Sequence, residues 1–174
     1  MTRIQNVIRD TAVPSWLNSV PHNFGEAAAG TIKADEWRNL STIFFPIALI
    51  SMWGDGSSHA TADEAYRFRQ ILDHTMLLVS AISLACMRTA TAARSATYLD
   101  CLSKYIKDLV ILHPEINYRP NHHMAMHLPH FLHLFGPVRS WWCFPFERLI
   151  GQLQRLLSNH KFGKFDVVLS FCYV

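Results

Sequence analysis

Residues 61–88 read TADEAYRFRQILDHTMLLVSAISLACMR, and this segment predicts the longest helix of the 174-residue chain. Its apolar side chains recur at intervals of three and four, so they line one face of a helix. Thr61 is suited to cap the N-terminus, and Asp63 and Glu64 favour the first turn through the helix dipole. The apolar face comprises Ala65, Phe68, Ile71, Leu72, Met76, Val79, Ile82 and Cys86.

A second amphipathic helix follows after a short break near residues 89–91 and ends at Pro114, because the residue before a proline disfavours the helical conformation. Its apolar stripe comprises Tyr98, Leu102, Tyr105, Ile106, Leu109 and Leu112. The length of the two helices and their short connection favour an antiparallel pair. The side chains expected inside the protein are Ile71, Val79, Leu102, Ile106 and Leu109.

The remaining segments also predict helices. The segment 32–53 fits a buried helix that Pro46 kinks or divides. Asn121 is suited to cap a helix that carries several histidines, and Pro145 fits the first position of a last helix. The apolar face of that last helix comprises Phe146, Leu149, Ile150, Leu153, Leu156 and Leu157. No strong strand signal precedes residues 166–169, so we predict an all-α fold with about five or six helices.

Composition excludes several classes of protein. Half of the residues are hydrophobic, which is enough for one substantial core and excludes a wholly disordered chain. The four cysteines are widely spaced without a Cys-x-x-Cys pair, and we expect no signal peptide, so an intracellular, reducing compartment is expected. The apolar runs 40–53 and 76–87 are shorter than the ~20 residues that a membrane-spanning helix needs. We therefore predict no membrane association.

Positive charge gathers near the C-terminal end, although the net charge of the chain is only +3. Glu147 is the one carboxylate in the interval that holds these basic residues. They are Arg139, Arg148, Arg155, Lys161 and Lys164. This excess of cations predicts a surface that binds nucleic-acid phosphate.

A histidine cluster offers a candidate metal site. His123 and His127 are four residues apart and His130 is seven from the first, so a continuous helix would present all three on one face, a spacing that suits zinc. Pro129 disfavours a helical residue before it and is expected to weaken that arrangement. The alternative is that these histidines are hydrogen-bonded core or surface groups.

Two elements of the chain resemble CACTA-type (En/Spm-like) DNA transposases. Residues 136–138, Gly-Pro-Val, and residues 141–148, Trp-Trp-Cys-Phe-Pro-Phe-Glu-Arg, are similar to the signature Gly-Pro-Val followed by Trp-x-(Phe/Tyr)-Pro-Phe-Glu-Arg. Residues 33–38, Lys-Ala-Asp-Glu-Trp-Arg, resemble the Lys-Ala-x-x-Trp-Arg element of the same proteins, especially fungal ones. Together the two elements span roughly residues 24–164. The His-x-x-x-His pair before Gly-Pro-Val is also similar to the family pattern.

The resemblance implies a particular place for this chain within a larger enzyme. Such transposases have a ribonuclease-H-like core, in which two aspartates on strands and a third carboxylate on a late helix hold two divalent metals, magnesium or manganese. A helical insertion often precedes the third carboxylate. The chain would be that insertion plus the last catalytic helix, and the sheet with both aspartates would lie upstream of Met1. The implied organisation is an irregular lead over 1–30, a helical domain over 31–160 and an atypical tail over 161–174.

The resemblance also assigns roles to single residues. Glu147 would be the third metal-binding carboxylate, whereas the residues alone favour a first-turn acid that stabilises its helix by ~0.3–1 kcal/mol. In distantly related recombinases a histidine pair ahead of the glutamate helps two cysteines to bind a structural zinc. His123 and His127 would be that pair, although this chain has no Cys-x-x-Cys counterpart of the cysteines. The partners implied are DNA and, against the face of Leu149, Leu153 and Leu156, either the missing catalytic half or another protein. The implied location is the nucleus.

Two functions of other classes remain open. One is a non-catalytic helical module that binds nucleic acid or a protein through its basic C-terminal segment. The other is a metal-binding protein built on the histidine cluster. Trp141 and Trp142 can stack on bases in either a transposase or a binding module, but packing of the 136–146 loop against helices also accounts for them.

Overall fold

A computed structural model describes residues 1–17, 20–54 and 61–156, and this part of the chain contains helices and no strand. The all-α prediction is confirmed for these residues. The eight α-helices within them are α1 Thr2–Asp10, α2 Ala34–Asn39, α3 Phe45–Trp53, α4 Ala62–Ala85, α5 Ala92–Leu112, α6 Pro120–Met126, α7 Leu128–Phe135 and α8 Phe144–Leu156. The number exceeds the five or six expected because residues 1–30 supply a helix and two predicted helices are divided.

Helices α4 and α5 form the predicted antiparallel pair. The pairing is antiparallel because His74 of α4 meets Tyr105 of α5, whereas Ala81, further along α4, meets Tyr98 near the start of α5. Thr61 caps α4 as expected, since its hydroxyl accepts a hydrogen bond from the Glu64 N–H at 3.2 Å. Thr91 caps α5 in the same way, by accepting from the Arg94 N–H at 3.2 Å.

A first hydrophobic core lies among the N-terminal helices. It joins α1 to the α2–α3 segment, with Leu40, Phe44 and Ala48 almost fully buried. The other buried members are Val7, Ile8, Val20 and Phe24. The predicted irregular lead therefore contributes an α-helix and four core side chains to the domain that follows it.

A second core lies between α4 and α5 and extends to α6 and α7. Leu102 and Leu109 are buried as predicted, but Ile71, Val79 and Ile106 are only half-buried. Two small cores bury fewer side chains completely than one large core would, because a small core has a large surface relative to its volume.

Two prolines divide helices. Pro46 lies in the first turn of α3, and a π-helical turn over Leu40–Phe44 joins α3 to α2, as expected for a residue without an N–H to donate. Pro129 lies in the first turn of α7, which is separated from α6 at His127. The histidine-bearing segment is thus two short helices.

The chain divides into two compact units, residues 1–141 and 142–174. In the second unit the structure describes residues 142–156, which form α8 and the turn before it. The predicted tail, 161–174, lies outside the described residues. No helix in the described ranges is long and apolar enough to cross a membrane.

Candidate functional site

The Gly-Pro-Val element forms a fixed turn at the end of α7. Gly136 has φ +75° and ψ −158°, a conformation that is essentially restricted to glycine. The Trp141 indole N–H donates to the Gly136 carbonyl at 3.1 Å, and its ring lies 6.3 Å from that of Phe135 and 6.5 Å from that of Phe131. These contacts support the packing interpretation of Trp141 rather than an open base-stacking platform.

Arg139 has a structural contact that sequence reasoning missed. Its Nε donates to the Cys86 carbonyl at 3.2 Å, at the C-terminal end of α4, where a cation stabilises the helix dipole. Burial raises the pKa of the Cys86 thiol, and the charges of Arg38 and Arg139 oppose that shift. Because 53 positions separate the two residues, no local pattern in the sequence indicates this contact.

Glu147 lies in the first turn of α8 and is exposed. Its backbone N–H donates to the Cys143 carbonyl at 2.9 Å, so the turn before the helix is hydrogen-bonded to it. In that turn the rings of Trp142 and Phe144 stack with centroids 4.7 Å apart. The carboxylate therefore lies in the first turn of a helix and is accessible to an ion or partner.

The structure describes only part of the predicted phosphate-binding set. Arg148 and Arg155 lie on α8, but their side chains are outside the described part of the structure. Lys161 and Lys164 lie outside the described residues altogether. The nucleic-acid role of all five basic residues, Arg139 included, stays a prediction.

His123 and His127 come together, but His130 belongs to the next helix. The Nε2 atoms of the first two lie 3.1 Å apart, and both side chains are exposed. Two zinc-bound nitrogens, each ~2.0–2.1 Å from a tetrahedral ion, would lie about 3.3 Å apart, and a hydrogen bond between neutral rings fits equally well. Among the residues described, no group of three His, Cys, Asp or Glu side chains is arranged to hold a metal.

A groove of about 450 Å³ between α5 and α6 was not predicted. We call it the α5–α6 groove. Lys107 lines it from α5, Tyr118 and Arg119 from the connection before α6, and His122 and His123 from α6 itself. The basic residues are scattered over the sequence without a motif, so only the pairing of the two helices reveals that they share a site.

No family model matches this chain, and no curated protein or solved structure matches it. The likeness to CACTA-type transposases therefore rests on the two motif elements alone.

Proposed function

We propose that this chain is the helical insertion and third-carboxylate helix of a CACTA-type DNA transposase, and that by itself it binds DNA without cutting it. The observation that carries the proposal is the signature over residues 136–148. Its glycine takes a conformation that other residues rarely adopt, and its glutamate is exposed in the first turn of α8. The exposed carboxylate of Glu147 fits a residue that acts in a site rather than in packing.

The proposed chemistry of the parent enzyme explains why this chain would lack cleavage activity. Two-metal phosphoryl transfer requires carboxylate oxygens that converge on ions about 3.5–4 Å apart. Glu147 would supply one carboxylate, and the two aspartates of the parent core would supply the others that hold magnesium or manganese. A single carboxylate binds magnesium weakly, because the ion keeps its water unless several oxygens converge.

The exposed apolar face of α8 supports the proposal that another protein surface packs against this helix. Leu149 and Ile150 are each about half exposed, and Phe146 is 66% exposed. Leu153 is half-buried, and the side chain of Leu156 lies outside the described part. In the parent enzyme this face would rest on the sheet of the ribonuclease-H-like core. An exposed apolar face also favours the alternative function, a module that binds another protein.

The proposal is tested by the salt dependence of DNA binding. We expect the purified chain to bind duplex DNA with an affinity that falls steeply with salt, because each neutralised phosphate contributes ~0.9 to the slope of log K against log salt. Replacing Arg148, Arg155 and Lys161 together by Gln should make that slope less negative by about 2–3.

The matched control removes the same charge elsewhere. Arg9, Arg67 and Lys104 are exposed outside the C-terminal segment, and their combined replacement by Gln should leave most of the slope intact. Equal effects of the two triple variants, or no binding at low salt, would contradict the DNA-binding proposal and favour the protein-interaction module.

A further inference from the structure

The α5–α6 groove combines positive charge with rings and apolar side chains. Ser103, Ile106 and Lys107 line it from one face of α5, since they lie three and four positions apart. Among the described residues, no carboxylate lines the groove and neither Lys107 nor Arg119 forms an ion pair. A groove with this lining attracts an anion and is within the size range of small-molecule sites.

His122 adds a hydrogen-bond donor to the groove. Its Nδ1 accepts a hydrogen bond from the Arg119 backbone N–H at 3.2 Å. In the neutral ring the other nitrogen, Nε2, must then carry the proton. The groove thus offers an N–H from His122 besides the charged groups of Lys107 and Arg119.

Tyr118 offers a ring for stacking. It is 58% exposed and lines the groove, and its hydroxyl lies 3.5 Å from the Ile106 carbonyl oxygen. The His122 ring is perpendicular to it, with centroids 6.4 Å apart. Met126 adds apolar surface beside them.

We propose that the α5–α6 groove binds a nucleotide, with the phosphate paired to Lys107 and Arg119 and the base stacked on Tyr118. The combination of cations for phosphate and an exposed aromatic ring for a base is the one used by proteins that bind single strands. A duplex keeps its bases stacked on one another, so a single-stranded or free nucleotide fits the groove. This site lies outside the basic C-terminal segment and stands independently of the transposase proposal.

The test is fluorescence anisotropy of a short labelled oligothymidine with the full chain at constant ionic strength. We expect Tyr118→Leu to weaken binding at least about fivefold, since a stacked base contributes ~1–3 kcal/mol. Lys107→Gln and Arg119→Gln should each weaken it about tenfold, because a charged hydrogen bond to phosphate is lost. Tyr118→Trp keeps a stacking ring and should retain binding.

Two control variants match these changes outside the groove. Lys104→Gln removes another lysine of α5, whose Nζ lies 3.0 Å from the Asp100 carboxylate. Tyr66→Leu removes a tyrosine of α4 that is 67% exposed. Circular dichroism verifies that each variant is folded. Groove variants that bind like these controls would overturn the proposal.

Competition distinguishes the two sources of the nucleotide. Displacement of the oligomer by thymidine monophosphate would support the site and identify free nucleotide as a ligand. Failure of the monophosphate to compete, with the groove variants still weakened, would support the site with the strand as its ligand. Competition by inorganic phosphate as effective as that of the monophosphate would overturn the assignment, because the base would then contribute nothing.

Discussion

Tyr98 is the residue through which the long helix pair holds α6. It is 4% exposed, and its hydroxyl donates to the Ala125 carbonyl at 2.9 Å. His74 has a similar role between α4 and α5, with Nε2 2.9 Å from the Tyr105 carbonyl and its ring stacked on Tyr105. Each of these side chains joins two successive helices, so each supports packing as well as hydrogen bonding.

Tyr98→Phe should lower the free energy of unfolding by about 1–1.5 kcal/mol at neutral pH, because the Ala125 carbonyl loses its donor. Burial raises the pKa of Tyr98 to about 12. In the unfolded chain the pKa of a tyrosine is ~10. The contribution of the neutral Tyr98 phenol to the free energy of unfolding is therefore complete below pH ~10 and is lost as pH rises toward about 12.

Urea unfolding of the two proteins between neutral pH and pH ~11 checks this expectation. The difference in free energy of unfolding between the wild type and Tyr98→Phe should shrink as pH rises above about 10, since only the wild type can ionise at this position. An advantage that grows in alkaline solution, or none at neutral pH, would contradict the assigned hydrogen bond.

Residue-level contacts divide into local ones, which the sequence predicts, and distant ones, which it does not. The Thr61 cap was predicted because the cap and its helix are adjacent in the chain. The contacts of Arg139 with Cys86 and of Tyr98 with Ala125 depend on how helices pack, and no short pattern encodes that. Nothing in the histidine spacing indicated that His127 would separate two helices, although Pro129 favoured a break.

At the level of elements, α8 is helical despite a glycine in its interior. A Cβ at Gly151 would meet nothing within 4 Å, so this position is open in the described structure. By contrast, Gly136 has a backbone conformation that a side chain would strain. Gly136 and Gly151 therefore differ in what they require.

Gly151→Ala should stabilise α8, since alanine is favoured over glycine by ~0.5–1 kcal/mol in a helix interior. Helical circular dichroism should increase slightly. The matched variant Gly136→Ala should instead lower the free energy of unfolding by about 1–3 kcal/mol. Loss of helix on Gly151→Ala would show that another backbone already packs against that face.

Over the whole molecule, helical periodicity predicted the fold class and the α4–α5 pair because that signal persists over several turns. It did not predict two separate cores or the contribution of residues 1–30, since α1 is short and largely polar. The α5–α6 groove was also missed, because its lining comes from two helices and their connection. The signature residues 136–148 were found by resemblance, and their function stays a proposal.

The proposal that the chain binds DNA without cutting it is tested most directly by incubating it with supercoiled plasmid and manganese, and comparing it with Glu147→Gln. We expect both proteins to retard the plasmid equally in a gel and to leave it supercoiled after the protein is removed, because one carboxylate does not assemble a two-metal site. Nicking that disappears in Glu147→Gln, or failure of the wild type to retard the plasmid, would contradict the proposal.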